Sequence, residues 1–239
     1  MNDIPLYDTP NRGPLYAFLL GCTWLGIHLF SVFGHIIGQP WWMTIALIAA
    51  QLWLYTGLFI VAHDTMHGSF APGNDAANRW VGRLIMLWYA GFSWDAMREA
   101  HHQHHATPGT AEDPDFNADD PCAFWPWYLR FFTRYFSWRQ VVVLGLIGLA
   151  YMLLGARFEN LLVMWALPAI LSSLQLFYFG TYLTHRHVDG FADEHNARTN
   201  DYPRWLSLLT CFHFGYHHEH HLYPEEPWWR LPSRKFETS

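Results

Sequence analysis

The chain carries little charge: 14% of its 239 residues are Asp, Glu, Lys or Arg, against about 25% in an average soluble protein. Lys235 is the only lysine, and the arginines form no basic run. With a net charge of −6, this excludes an electrostatic grip on nucleic acid. Cysteine is also scarce. Cys22, Cys122 and Cys211 stand far apart, which excludes a disulfide framework and a CxxC metal knuckle. No GxGxxG fingerprint occurs, so any electrons the protein uses must come from another protein. No repeat, low-complexity tract or Ser/Gly linker divides the chain, which reads as one domain over residues 1–239. A cleavable leader is not expected, because the first residues are polar and acidic and no small-residue site follows the first apolar run.

Aromatic residues and histidine are abundant. Phe, Trp and Tyr make up 18% of the chain, which rules out disorder. Residues 15–39, 41–62, 140–156 and 160–184 contain no Asp, Glu, Lys or Arg. A bilayer core needs about 20 apolar helical residues. The first, second and fourth stretches reach that length, and the third does so only when extended to 138–156. Mean hydropathy is near zero because Trp, Tyr and His lower it. Trp41, Trp42, Trp125, Trp127, Trp138, Trp228 and Trp229 read as interfacial anchors.

The fold class expected is all-α integral membrane, with four spans in two hairpins. The links around Gly38 and around Arg157 are short enough to be tight turns at one membrane face. Everything else then lies at the opposite face, and so do all basic residues except Arg157. The positive-inside rule puts that face in the cytoplasm. Residues 79–100 and 204–215 read as interfacial helices, and residues 108–126 as a structured Pro- and Asp-rich loop.

Most of the 16 histidines fall on that same side, in spaced motifs. His63 and His67 form HxxxH. His101, His104 and His105 form HxxHH, and so do His217, His220 and His221. His185 directly follows the fourth span. Helical residues three or four apart share a face, so each motif aims imidazoles at one region. His63 and His185 both end a span at the same surface, and the other motifs can fold back to meet them. Eight or nine imidazoles are too many for one ion and suit two. Imidazole suits zinc, copper, iron and nickel, and a membrane-mounted pair suits redox chemistry on an apolar substrate. A ferritin-like site would need two ExxH motifs, and only Glu99–His102 provides one.

Metal-bound imidazoles give their second N–H to a carboxylate or carbonyl. Asp64 is the first choice for that role, with Glu112, Asp113, Asp115 and Glu219 as further candidates. Asp113 and Asp115 could instead cap the loop around Pro114. His102, His187, His213 and His218 read as neighbours or hydrogen-bond partners of the motifs. His28 and His35, alone in apolar stretches, read as packing or hydrogen-bonding groups, and His195 as a solvated loop residue.

These residues resemble the membrane-bound desaturase and hydroxylase superfamily with its three histidine boxes. They are more closely similar to the bacterial carotenoid (beta-carotene 4-) ketolases. FIVAHDTMHGS at 59–69, WYAGFSW at 88–94, EDPDF at 112–116 and LLTCFHFGYHHEHHLYPEEPWWRLP at 208–232 carry the resemblance. It covers residues 58 to 232, and its last segment and EDPDF are its most specific parts.

The resemblance implies four membrane helices under a cytoplasmic histidine-rich cap holding two iron ions, with O2 as co-substrate and a separate ferredoxin-like electron donor. The reaction implied is oxidation of carbon 4 of the beta-ionone ring of beta-carotene or zeaxanthin. The ligands implied are His63, His67, His101, His104, His105, His217, His220 and His221, with His185 as the ninth. Thr181 stands where some relatives place an Asn that reaches metal through water. The alternatives are a carotenoid hydroxylase or lipid desaturase on the same fold, an intramembrane zinc protease using His63-Asp64-x-x-His67, and a metal transporter. Transport fits poorly with spans that lack acids and bases.

Overall fold

A computed structural model describes residues 12–38, 40–187 and 190–235. Residues 1–11, on which the leader reading rests, and Gln39, in the first short link, lie outside the described residues. Those described form an all-helical chain with one isolated β-bridge, between Thr199 and Tyr216.

Three helices are long and apolar enough to cross a membrane: α1 (Gly13–Gly34), α2 (Trp41–His67) and α7 (Phe158–His185). A fourth span exists only if a bent pair is counted as one, namely α5 (Phe124–Tyr135) and α6 (Trp138–Leu153), which meet at 71°. The first apolar stretch therefore ends at Gly34 rather than 39, while the second continues past residue 62 to carry His63 and His67. Helix α6 has 16 residues, too few to span alone. Its start is fixed by Ser137 and Gln140 in a reciprocal capping box.

α2 packs against α1, α7 and α3 (Asp75–Ala90). The amide of Asn160, at the start of α7, donates to the carbonyls of Ser31, Val32 and His35 at 3.2, 3.0 and 2.9 Å. That satisfies carbonyls which the end of α1 leaves open. It also holds the two short links together, so His67 and His185 finish their helices at the other end of the bundle. Large side chains such as Phe18, Leu146 and Ile170 are exposed on the outer faces, an apolar surface of the kind lipid covers.

Three expected segments differ. Residues 79–100 form two helices rather than one, α3 and α4 (Trp94–Ala106). Gly91, at φ +69°, ends α3, and the Ser93 hydroxyl caps α4 by accepting from Ala96 N at 3.3 Å. Residues 204–215 are helical only in α8 (Arg204–Cys211). Phe212 and His213 follow at φ +48° and +62°, a left-handed pair costing about 1–3 kcal/mol each. Phe212 is held there by stacking on Trp53 at 4.5 Å and an edge contact with Trp228 at 5.3 Å. The chain reverses and enters α9 (His217–Leu222), then α10 (Leu231–Arg234). The supposed loop over residues 108–126 gives way to α5 at Phe124. Pro126 is tolerated in the first turn, where its missing N–H has no helical partner anyway.

The tryptophans divide. Trp41, Trp42, Trp125 and Trp138 are exposed as anchors should be, whereas Trp127 and Trp228 are buried. Trp127 donates to the Asp115 carbonyl at 2.7 Å, and Trp228 packs on Phe212, so neither can anchor at an interface.

Candidate metal centre

Four helices bring the imidazoles together. α2 supplies His63 and His67 from its last turns, one above the other at i and i+4. α4 supplies His101, His104 and His105, α7 ends in His185, and α9 is almost entirely the third motif. Five rings form one cluster: His63, His67, His101, His105 and His220. Four form a second: His104, His185, His217 and His221. The clusters touch, with the His105 and His221 rings stacked at 4.3 Å.

Within the first cluster His101 Nε2 lies 2.8 Å from His63 Nε2, 2.7 Å from His67 Nε2 and 3.2 Å from His105 Nε2. His105 Nε2 is 2.9 Å from His220 Nε2. One ring proton cannot serve three nitrogens, so lone pairs face each other, an arrangement that a cation between them would satisfy. In the second cluster His185 Nδ1 donates to the Asn196 carbonyl at 2.7 Å. Its buried Nε2 then has a lone pair and no hydrogen-bond partner. Burial holds His101, His217, His220 and His221 well below the usual imidazole range, and His105 down to about 2. Burial thus favours the neutral form of these rings, the state a metal needs. The donor set therefore fits two soft-to-borderline transition ions, one per cluster.

Of the acids singled out, Asp113 makes the closest contact with a cluster histidine. It is buried, and its Oδ2 accepts from His104 Nδ1 at 2.9 Å and from Gly109 N at 2.8 Å. Its Oδ1 accepts from Asp115 N at 2.8 Å. Burial would raise this carboxyl, but the three donors, with the His104 ring foremost, hold it below the usual carboxylate range. An ionised partner on Nδ1 makes His104 a stronger donor through Nε2.

Asp64, the first choice from sequence, sits 3.6 Å from His63 Nδ1, beyond a hydrogen bond. Its Oδ2 accepts from Trp228 N at 3.2 Å and so ties the C-terminal segment to α2. Glu219 accepts from the Thr199 hydroxyl. Glu112 offers its backbone carbonyl to Gln103.

The remaining histidines stand outside both clusters. His102 Nε2 bonds the Met66 carbonyl at 3.0 Å, and His218 bonds Asp193 at 2.7 Å. His187 packs against Phe116, and His213 is buried beside Tyr216 and Trp228. The His28 ring stacks on Trp24 and bonds Gln51 and Tyr151, while His35 bonds Thr44. His195, in a loop, is half-buried with its ring 6.0 Å from that of His221.

An apolar cavity of about 320 Å³ lies beside the clusters, walled by residues including Phe59, Phe92, Phe132, Trp165 and Phe214. A smaller cavity of about 60 Å³ adjoins it and reaches His63, His101, His104 and His217. Phe59, Met97, Phe131, Tyr135, Thr181 and Phe214 line both, so the two are neighbours across these side chains. Thr181 and Gly180 belong to a π-helical stretch of α7, Phe177–Tyr182. Such π-turns recur at functional sites because they re-aim side chains within a helix. Tyr135 and Phe131 were not anticipated from sequence. The signal was the aromatic spacing at 124, 128, 131 and 135, which marks one face of a helix.

A family model for fatty acid desaturase matches residues 39–141 and 133–235. A beta-carotene ketolase from a Paracoccus strain is 48% identical over 216 residues, covering 89% of this chain and 88% of its own. A beta-carotene ketolase from a second Paracoccus strain is 46% identical over 228 residues, covering 94% and 92%. A zeaxanthin 4-ketolase from Chlamydomonas reinhardtii is 37% identical over 247 residues, covering 96% of this chain and 55% of its own. With all nine clustered histidines inside the matched residues, the chain belongs to the fatty acid desaturase family.

Proposed function

We propose that this integral membrane protein is a di-iron beta-carotene 4-ketolase. The observation that carries the reading is the meeting of paired imidazole clusters with an apolar cavity. His63, His67, His101, His105 and His220 would hold one iron, and His104, His185, His217 and His221 the other. Bound there, the two ions would supply the redox chemistry that activates O2 against the allylic C–H bonds of ring carbon 4.

The chain's own residues do the rest. Phe59, Phe92, Phe132 and Phe214 bury one apolar ring of the substrate and exclude water. The remaining polyene stays in lipid. Asp113 and the Asn196 carbonyl fix the orientation of His104 and His185. Two hydroxylations at one carbon, each consuming O2, two electrons and two protons and releasing water, give a geminal diol. Loss of water then leaves the ketone. Beta-carotene would pass through echinenone to canthaxanthin, and zeaxanthin would give astaxanthin.

The electrons come from a separate, ferredoxin-like protein. The four-span count, with α5 and α6 as a bent fourth element, a single domain over 1–239 and a cytoplasmic active site in the bacterial inner membrane belong to the same proposal. The orientation rests on the distribution of arginine. A protease reading is disfavoured because the Asp64 carboxylate, which would have to act as the base, is engaged with the Trp228 backbone.

The test is expression in a beta-carotene-producing host. Ketocarotenoids should accumulate. Hydroxylated rings alone would indicate a hydroxylase, and an unchanged pigment profile with well-inserted protein would overturn the assignment.

A further inference from the structure

Oxidation to a ketone requires the same ring to be attacked twice. The first product differs from the substrate by one hydroxyl, and an apolar cavity gives that hydroxyl no reason to stay. The hydroxyl-bearing residues of the larger cavity include Tyr89, Tyr135, Ser173 and Thr181. Tyr89 bonds Ser172 and Ser173 bonds Tyr128, both turned into the helix packing. Tyr135 differs. It lines both cavities, and its O–H donates to Asp115 Oδ1. Asp115 lines the inner cavity, and a carboxylate oxygen of it lies within 4.8 Å of a His104 ring nitrogen. Thr181 also lines both cavities. A phenol that donates to a carboxylate keeps its oxygen lone pairs as acceptors, and the second carboxylate oxygen is an acceptor too. The polar groups thus stand where the apolar channel meets the clusters.

We propose that Tyr135, Asp115 and Thr181 form an alcohol-binding subsite that retains the ring-4 hydroxyl intermediate for its second oxidation. The proposal rests on the ketolase reading given above. The un-oxidised ring of beta-carotene has nothing to offer these groups, so the subsite discriminates the intermediate from that substrate. Loss of one such hydrogen bond is worth about tenfold in retention.

The experiment uses the full-length membrane enzyme with its electron donor, supplied with beta-carotene and, separately, with its ring-4 alcohol. The measured quantities are the alcohol-to-ketone product ratio and the KM for each substrate. Tyr135→Phe removes only the hydroxyl, and Thr181→Val is its near-isosteric counterpart. Each should raise the alcohol-to-ketone ratio about tenfold and raise the KM for the alcohol more than that for beta-carotene. A lower overall rate with an unchanged ratio and parallel KM values in both variants would overturn the subsite and leave a merely structural role. If one variant fails to insert, the other decides by the same ratio. Wild-type protein that leaves carbon 4 untouched would instead sink the ketolase reading itself, so the two failures are distinguishable.

Discussion

Replacing Asp113 with asparagine separates its charge and acceptor geometry from its shape. The carboxylate receives three donors, His104 Nδ1 at 2.9 Å, Gly109 N at 2.8 Å and Asp115 N at 2.8 Å. An amide offers one acceptor oxygen and one donor nitrogen. If the oxygen faces His104 and Gly109, the NH2 group opposes the Asp115 N–H, and the reverse flip opposes His104. Either way a buried donor loses its partner, which costs about 1–3 kcal/mol of stability. The lost charge also weakens His104 as a ligand, and removing such a partner typically lowers metal affinity about 10–100-fold. Purified Asp113→Asn protein, titrated with an iron chelator, should surrender one iron at about 10–100-fold lower chelator strength than wild type. The second iron should be lost close to the wild-type point, because the other cluster does not contain His104. Two irons released together at the wild-type point would refute the role given to Asp113.

Four further outcomes follow from the geometry. His220→Ala and His104→Ala each remove a ring from a different cluster and should abolish ketone formation while the protein still inserts, and full activity in either would contradict its assignment. At Gly180 an added Cβ would lie 2.7 Å from Phe214 Cδ1. Gly180→Ala should therefore destabilise by about 1–3 kcal/mol and reduce turnover, since the Phe214 ring sits 4.6 Å from that of His63 and 4.8 Å from that of His217. Gly21→Ala, with open space around it, is the control, and equal melting temperatures for the two variants would count against the packing argument. Burial, with a smaller contribution from Arg204, lowers the His213 pKa to about 4. An unfolded histidine titrates near 6.5, so the unfolded state binds more protons between those values. Stability from this group is complete above about pH 6.5, declines as pH falls and levels off below about pH 4. His213→Gln should flatten that acid limb in a melting-temperature profile, and an unchanged slope would refute it.

Much of the site was legible because helical spacing is rigid. HxxxH at 63 and 67 had to place two rings on one face of α2. The partition of the HxxHH motifs was not legible. His101 and His105, at i and i+4, enter one cluster, while His104, rotated about 100° from His105, enters the other. The third motif divides the opposite way, with His217 and His221 together and His220 crossing over. Periodicity alone does not say which face meets which neighbour; that depends on how α4 and α9 cross.

Nearest in sequence was a poor guide to nearest in space among the acids. Asp64 adjoins His63 but turns to the Trp228 backbone, whereas Asp113, nine residues from His104, makes the short contact. The bend between α5 and α6 was missed for a related reason. Pro126 and the preceding aspartates read as loop, while the aromatic face that turns this segment into a cavity wall appears only at helical spacing.

The central claim is that nine imidazoles hold two irons side by side, and metal analysis with iron-edge X-ray absorption on protein from iron-supplied cells tests it most directly. Two irons per chain in a nitrogen-dominated shell are expected. A single metal per chain, or zinc filling both positions when iron is available, would contradict it.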